Sequence, residues 1–390
     1  MVSKTSVWLF VSLLIISSIL AACGSADDST SGTKDEGVAM TEAVVNGDSQ
    51  GPAGEGARGG ECCDVYRIGV FEDPLSLNYW AYLGPDSSQW TGYVLDDYAA
   101  SLYTLSDQRF DFIPNLATDL VEPMDNGDGT WSITVEMVQD ATWSDGKTVT
   151  AHDVVFTHNT CKDLRLTQNW PDQCAPSGLD ITVEALDDYT VHYTFPEHPS
   201  LGTWNAGVAQ APILPEHFWA EAVTKAYRYI EGLEEPAIEE PEGVDCAAED
   251  LSASDQAACE EYNTAWAPYK EAFENARKTL YEADVSGSPT FGGYITDQME
   301  RGAFVRRSAN GNYYFKGAVI VEYEDGTWQR IMPDGRELQF YGDASGEEVL
   351  RFTKGPYAPK VIMSVYGSQD AAFLALANGE VDYVLNPLGL

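Results

Sequence analysis

Seven cysteines, five histidines and 62 carboxylates are the residues through which this 390-residue protein could do chemistry. Cys161 and Cys174 lie close in sequence, as do Cys246 and Cys259, while Cys62 and Cys63 are adjacent. No CxxC pair exists, so zinc-site spacing is missing. In an oxidising compartment the two local pairs are disulfide candidates, and the partner of Cys62 and Cys63 is not readable. The histidines are His152, His158, His192, His198 and His217, and none forms HExxH or joins a GxSxG-type triad. Gly146-Lys147-Thr148 fails as a phosphate loop, because the first glycine of that motif falls at Ala141. Asp125-Asn126-Gly127-Asp128-Gly129 has the polar character of a calcium loop, but Gly127 stands at the third ligand position. A hairpin turn is the expected use of that stretch. With so many carboxylates, neighbouring acids carry no glycosidase argument. No catalytic residue, metal ligand or cofactor is assigned, and an enzyme is not expected.

One cysteine has a different context. Lys4 gives the sequence a positive start, and Val7 to Ile19 is an almost unbroken apolar run, too short to favour a spanning helix. The run ends in Leu20-Ala21-Ala22-Cys23, which resembles a bacterial lipobox. That resemblance implies a signal peptide over residues 1–22, acylation of Cys23 and a membrane anchor. Residues 24 to 60 hold Gly, Ser, Asp and Thr with almost no large apolar side chains, so 23–63 reads as a flexible tether. The remainder from Asp64 is long enough for two lobes with cores of their own. The net charge of −40 argues against nucleic acid, whose phosphates it repels. It fits a solvated acidic surface in a salty exterior.

The elements expected to position the rest follow from pattern. Trp131, Ile133, Val135 and Met137 alternate with Ser132, Thr134 and Glu136, a half-buried strand. Asp145-Gly146 makes a turn, and Thr150 with Asp153 forms a capping box opening a helix whose buried face starts at Val154, Val155 and Phe156. Ile181 to Ala185 and Val191 to Phe195 read as a hairpin. Residues 231–262, acidic and carrying Pro236 and Pro241, read as a surface insertion, followed by a helix with Trp266, Tyr269, Phe273, Ala276 and Leu280 on one stripe. Val361 to Tyr366 is a strand leading into a helix with Gly379 as its cap.

Several of these stretches together resemble one family. The run Trp143-Ser144-Asp145-Gly146 through Thr150-Ala151-His152-Asp153-Val154, the segment Ile213-Leu214-Pro215-Glu216-His217 and the element Gly379-Glu380-Val381-Asp382 follow, in order, the pattern of bacterial extracytoplasmic solute-binding proteins, family 5. Ser286 to Tyr294 departs from it, with Gly292-Gly293 where the family has a Gly-Pro step. The resemblance implies an α/β, two-lobed periplasmic-binding-protein-like fold of the larger class, with residues 64–80 and 206–315 in lobe I. Residues 81–205 would form an extra subdomain and 316–390 the start of lobe II. Family members usually continue well past this point, so the second lobe is expected to be incomplete, with either the sequence truncated at its C-terminal end or a second chain completing it.

The implied function is the extracytoplasmic substrate-binding component of an ABC importer. It would hold di- or oligopeptides between lobes and deliver them to a permease with its ATPase subunits, lipid-anchored at the outer face of the cytoplasmic membrane. Asn78, Trp80, Trp204 and Asn205 are the cleft candidates for ligand contact. The alternatives are the same fold on an oligosaccharide or another small solute, and a surface lipoprotein scaffold without transport.

Overall fold

The computed structural model describes residues 64–385, with positions 247, 249 and 250 excepted. The expected signal peptide, Cys23, the tether to residue 63, and Cys62 and Cys63 lie outside the described residues.

Two apolar strands pack side by side through a long-range choice. Val65–Val70 pairs in parallel with Lys360–Val365 over the register Val65↔Lys360 to Val70↔Val365, and on its other edge with Tyr383–Val384. Parallel neighbours need a crossover. The helix Gln369–Ala377 makes the crossover from Lys360–Val365 to Tyr383–Val384 on the far side of Val65–Val70, capped by the Ser368 hydroxyl on the Ala371 amide and packed through Ala372 and Ala375 against Val381 and Val384. The antiparallel strands Phe304–Ala309 and Tyr294–Glu300 complete this five-stranded central sheet. Residues 360–384 therefore share a sheet with 65–70 and 294–309, which corrects the expectation that everything from 316 begins a second lobe. Local pattern announces a strand but not its partner, and here the partner lies almost 300 residues away. Only Val319–Tyr323, Trp328–Ile331, Glu337–Phe340 and Glu348–Thr353 form a separate antiparallel sheet in that region.

The second core is built on the strand read from alternation. Trp131–Glu136 pairs with Thr190–Phe195, and that with Thr182–Asp187. Ile133 sits opposite Tyr193 and Val135 opposite Val191, all buried. Each such side chain contributes about 1.5–3 kcal/mol on leaving water. The helix Ala151–Asp163 packs on this sheet. Its last turn is joined to the segment Trp170 to Cys174 by the Cys161–Cys174 disulfide.

A third cluster gathers Trp80, Trp170, Trp219, Ala276 and Leu280. The long helix Ala253–Tyr281 begins well inside the stretch read as an insertion, because Ser252 caps it by accepting from the Asp255 amide. Cys259 in its second turn is bonded to Cys246. Gln89–Leu95 is also helical, with the Ser88 hydroxyl accepting from the Thr91 amide.

One buried group gives this fold a pH signature. His158 is 7% exposed and its Nε2 has no partner. Burial, with Lys162 nearby, pushes its pKa down to about 4 against a backbone hydrogen bond at Ile181 that raises it. The unfolded protein takes up this proton near pH 6.5 and the folded protein only near 4. Stability is thus complete above 6.5 and falls as pH drops through that window. The expected loss is about 3 kcal/mol at 1.4 kcal/mol per pH unit. Urea midpoints measured between pH 7 and 4 should show the slope, and His158→Gln should flatten it.

Candidate functional site

A short turn and a glycine pair build one of the protein's concavities. The helix Gln89–Leu95 runs directly into the turn Asp96–Tyr98, which sets Asp96 and Asp97 beside the loop at 291–293. The Asp97 carbonyl accepts from the amides of Phe291 and Gly292, each at 2.8 Å. Asn310, 1% exposed, braces the other side: its side chain donates to the Gly292 carbonyl and its amide to that of Gly293, both at 2.8 Å. Between these walls lies a cleft of about 330 Å³ lined by Tyr79, Asp96, Asp97, Asn115, Phe291, Gly292, Tyr313 and Lys354. Asp97 and Tyr313 also line a wider depression of about 520 Å³, with Tyr66, Tyr294, Pro356 and Tyr357. Clefts of these sizes suit small organic ligands.

The charges here are arranged in two different ways. Asp97 forms an ion pair with Arg307, which is itself 6% exposed and lies over the Tyr294 ring at 5.6 Å. Asp96 opens into the cleft. Burial and then the Asp97 charge push its pKa up, and Arg307 and Lys354 pull it back. The phenols of Tyr79 and Tyr313 are shifted upward chiefly by burial, with nearby charge adding: Tyr82 and Asp96 for the first, Asp97 and Asp96 for the second. Both stay protonated at neutral pH and can donate a hydrogen bond. The arrangement offers a carboxylate, an ammonium group, phenolic donors and aromatic faces, which is chemistry for holding a polar solute. Among the described residues no group of three or more His, Cys, Asp or Glu side chains could hold a metal ion.

Gly292 is the position the cleft tolerates least. A Cβ there would stand 2.7 Å from the Asp97 Cα and closer still to its carboxylate. Backbone must move to admit it. Gly292→Ala is expected to destabilise the protein by about 1–3 kcal/mol, the usual range for overpacking, and to weaken ligand binding. Thermal melts and titration calorimetry read the two effects.

The residues singled out from sequence fall elsewhere. Asn78 is 3% exposed and caps the helix Tyr79–Tyr82: its Oδ1 accepts from the amides of Trp80 and Ala81, and its Nδ2 donates to the carbonyls of Leu280 and Tyr281. Trp80 and Trp204 are 0% and 1% exposed, in the cores around Trp170 and Tyr193 respectively. The structure places all three in capping and packing positions away from the cleft. Asn205 is half-buried, and its carbonyl accepts from the Gln210 side chain at 3.0 Å. None of the four lines the cleft. The residues that do, Asp96, Asp97, Tyr313 and Lys354, carry no local signal in a sequence with 62 acids and 21 tyrosines. Phe291 and Gly292, which also line it, lie in the Ser286 to Tyr294 segment that departs from the family pattern.

Residues 111–389 match the family described as bacterial extracellular solute-binding proteins, family 5 middle, and the chain belongs to that family. Among solved structures it is similar to the oligopeptide-binding protein of Thermus thermophilus complexed with a pentapeptide. That match has 15% identity and a TM-score of 0.49, covering 82% of this chain and 44% of that one. It is similar also to the ABC transporter substrate-binding protein CtaP of Listeria monocytogenes, with 22% identity, a TM-score of 0.45 and coverage of 81% and 43%. A third is the Thermotoga maritima periplasmic oligopeptide-binding protein bound to mannohexaose, with 15% identity, a TM-score of 0.49 and coverage of 83% and 42%. The chain thus spans less than half the length of these structures. No curated protein matches. No helix among the described residues is long and apolar enough to cross a membrane.

Proposed function

We propose that this protein is the extracytoplasmic binding component of an ABC importer, capturing short peptides in the cleft between Asp96 and Lys354 and passing them to a permease with its ATPase subunits. The observation that carries the reading is the cleft itself: polar groups and aromatic faces converge on about 330 Å³ in a member of a solute-binding family. Peptides suit it because phenolic donors and charged groups can meet a main chain without demanding a side chain of one shape. In this reading the central sheet is the first lobe and residues 81–205 are its subdomain. Hinge closure over the cleft then excludes water and strengthens each polar contact. Cys23 would carry the lipid anchor that holds the protein at the outer face of the membrane. The protein binds and releases its ligand without turning it over.

An oligosaccharide is the second reading. Tyr66, Tyr294, Tyr313 and Tyr357 around the wider depression offer flat faces of the kind that stack on sugar rings. Native mass spectrometry of the protein as purified separates the two. Co-purified peptides of mixed sequence support peptide import, whereas a single uniform sugar removes it. The hinge itself is tested by small-angle scattering with and without ligand, where an unchanged radius of gyration counts against closure.

A further inference from the structure

Arg330 is a buried cation without a counter-ion. It stands in the strand Trp328–Ile331, between Ile320 and Leu338 on the neighbouring strands, and is 4% exposed. Around it the sheet packs an apolar cluster of Ile113, Ile320, Trp328, Leu338, Phe340 and Phe352. Among the described residues no carboxylate pairs with its guanidinium, and its Nε has no hydrogen-bond partner. Glu322 shares this face of the sheet, but its carboxylate takes the Gln108 amide at 3.3 Å and lies more than 4.0 Å from the Arg330 nitrogens. Burial pushes the Arg330 pKa down to about 10; Tyr314 and Tyr313 pull it back, and Arg336 adds to the fall. The group is therefore charged at neutral pH.

Its two contacts both lead into the cleft. The Nη1 donates to the Pro114 carbonyl at 2.8 Å, and the guanidinium lies over the Phe315 ring, 4.7 Å from its centre. Phe315 lines the cleft, and so does Asn115, the residue after Pro114. Arg330 itself does not line it. Phe315 belongs to the connection between Phe304–Ala309 and Val319–Tyr323, where neither helix nor strand holds it. Its ring meets two further cleft residues edge-on, Phe291 at 6.2 Å and Tyr313 at 5.9 Å. A shift of Phe315 thus carries this wall with it.

A cation taken out of water without a counter-ion is destabilising, and an apolar side chain of similar length would fill the sheet core without that penalty. A charge at this place points to a role that an apolar residue cannot fill. Arginine suits it, because the planar fork donates in its own plane while its face rests on an aromatic ring. Building on the solute-capture reading above, we infer that Arg330 is a positioning residue of the cleft: it ties Phe315 to the Pro114–Asn115 step and so holds two walls, from distant parts of the chain, in the arrangement that receives the solute. It acts through these residues and does not touch the solute.

The test compares the purified protein with Arg330→Met and Arg330→Lys in three measurements: urea unfolding, amide hydrogen exchange without ligand, and titration calorimetry with a pool of di- and tripeptides. Arg330→Met should keep its urea midpoint or raise it, since a buried unpaired charge is gone. Exchange should nevertheless quicken about 10-fold in two places, residues 114–118 and 310–318, while the rest of the sheet keeps its protection. The amides of Asn115, Leu116, Ala117, Lys316 and Ala318, all bonded to backbone carbonyls, report on these walls. Peptide affinity should fall about 10-fold, the scale of one cation–π contact and one hydrogen bond. Arg330→Lys keeps a charge and a donor, and should recover part of both losses. A side chain that only fills space would be replaced as well by Met as by Lys. A lower urea midpoint with exchange rising evenly through the sheet, or equal peptide affinity in all three proteins, makes Arg330 a packing residue and overturns the inference. If the unaltered protein binds no peptide, the capture reading fails on that result alone, and the exchange pattern still decides whether Arg330 fixes the two walls.

Discussion

Alanine in place of Trp80 is expected to lower the unfolding free energy by about 4 kcal/mol, within the range for large aromatic truncations in a core. Trp80 is fully buried and stacks on Trp170 with ring centres 4.9 Å apart, while Trp219 meets it edge-on at 6.1 Å. Its carbonyl accepts from the Trp170 indole at 2.9 Å. The ring therefore joins the helix Tyr79–Tyr82 to the segment tied by Cys161–Cys174 and to the helices Glu216–Tyr227 and Ala253–Tyr281. Removing it leaves a void that three rigid indole and helix surfaces cannot close. Urea unfolding should show the lower midpoint. Ligand affinity measured well below the melting temperature should change far less. A variant that keeps its stability within about 1 kcal/mol but loses binding would return Trp80 to the ligand site and reverse the structural assignment made for it.

Asp153→Ala is expected to have a comparable effect, about 3–5 kcal/mol, for a different reason. The Asp153 carboxylate is 4% exposed and ties three separate pieces of chain together. Its Oδ2 accepts from the Thr150 amide at 2.9 Å and from the Trp143 indole at 3.4 Å, and its Oδ1 from the Glu216 amide at 2.8 Å. Two backbone N–H groups lose their acceptor in the variant, at about 1–3 kcal/mol each, and the indole loses its own. Burial raises the Asp153 pKa, and the hydrogen bonds from Thr150, Glu216 and Trp143, with His217 nearby, lower it. The net shift is upward, so ionisation becomes less favourable on folding and this part of the stability declines as pH rises past the ordinary carboxylate range. Asp153→Asn separates the two contributions. It removes the charge, keeps one oxygen, and should lose less than alanine at neutral pH. Equal losses for Asn and Ala, measured by urea unfolding, would show that the charge and not the acceptor geometry holds the junction.

That junction explains why two sequence motifs, some 60 residues apart, read as one signature. Besides the Glu216–Asp153 contact, the His217 Nε2 and the Asp145 carboxylate lie 2.8 Å apart, and the Leu214 amide donates to the Thr157 hydroxyl at 2.9 Å. The tryptophan-to-aspartate run and the leucine-proline-histidine segment are two faces of a single joint. Each motif is legible alone as a turn, a cap or a proline-opened helix. Their mutual contact is not, since nothing in a capping residue's type says what its second oxygen will meet.

Several things were determined by the amino-acid sequence on its own. The period-two alternation of Trp131 to Glu136, the hairpin closing on Thr190–Phe195, the capped start of the helix at Ala151 and the glycine-terminated helix at Gln369–Ala377 are all local, and their signals span a few residues. The Cys161–Cys174 and Cys246–Cys259 bonds are readable for the same reason, each closing a sequence separation of 13. Tertiary structure alone decided where Lys360–Val365 would pair, and so which sheet it belongs to. It also decided that the large aromatics near the family motifs face inward while Asp96, Tyr313 and Lys354 line a cleft. The physical reason is the same in both cases. Strand periodicity and caps arise from neighbours along the backbone, whereas a cleft and a sheet order arise from segments hundreds of residues apart. A tryptophan's size says that it will contribute heavily to burial, and only the packed fold says against what.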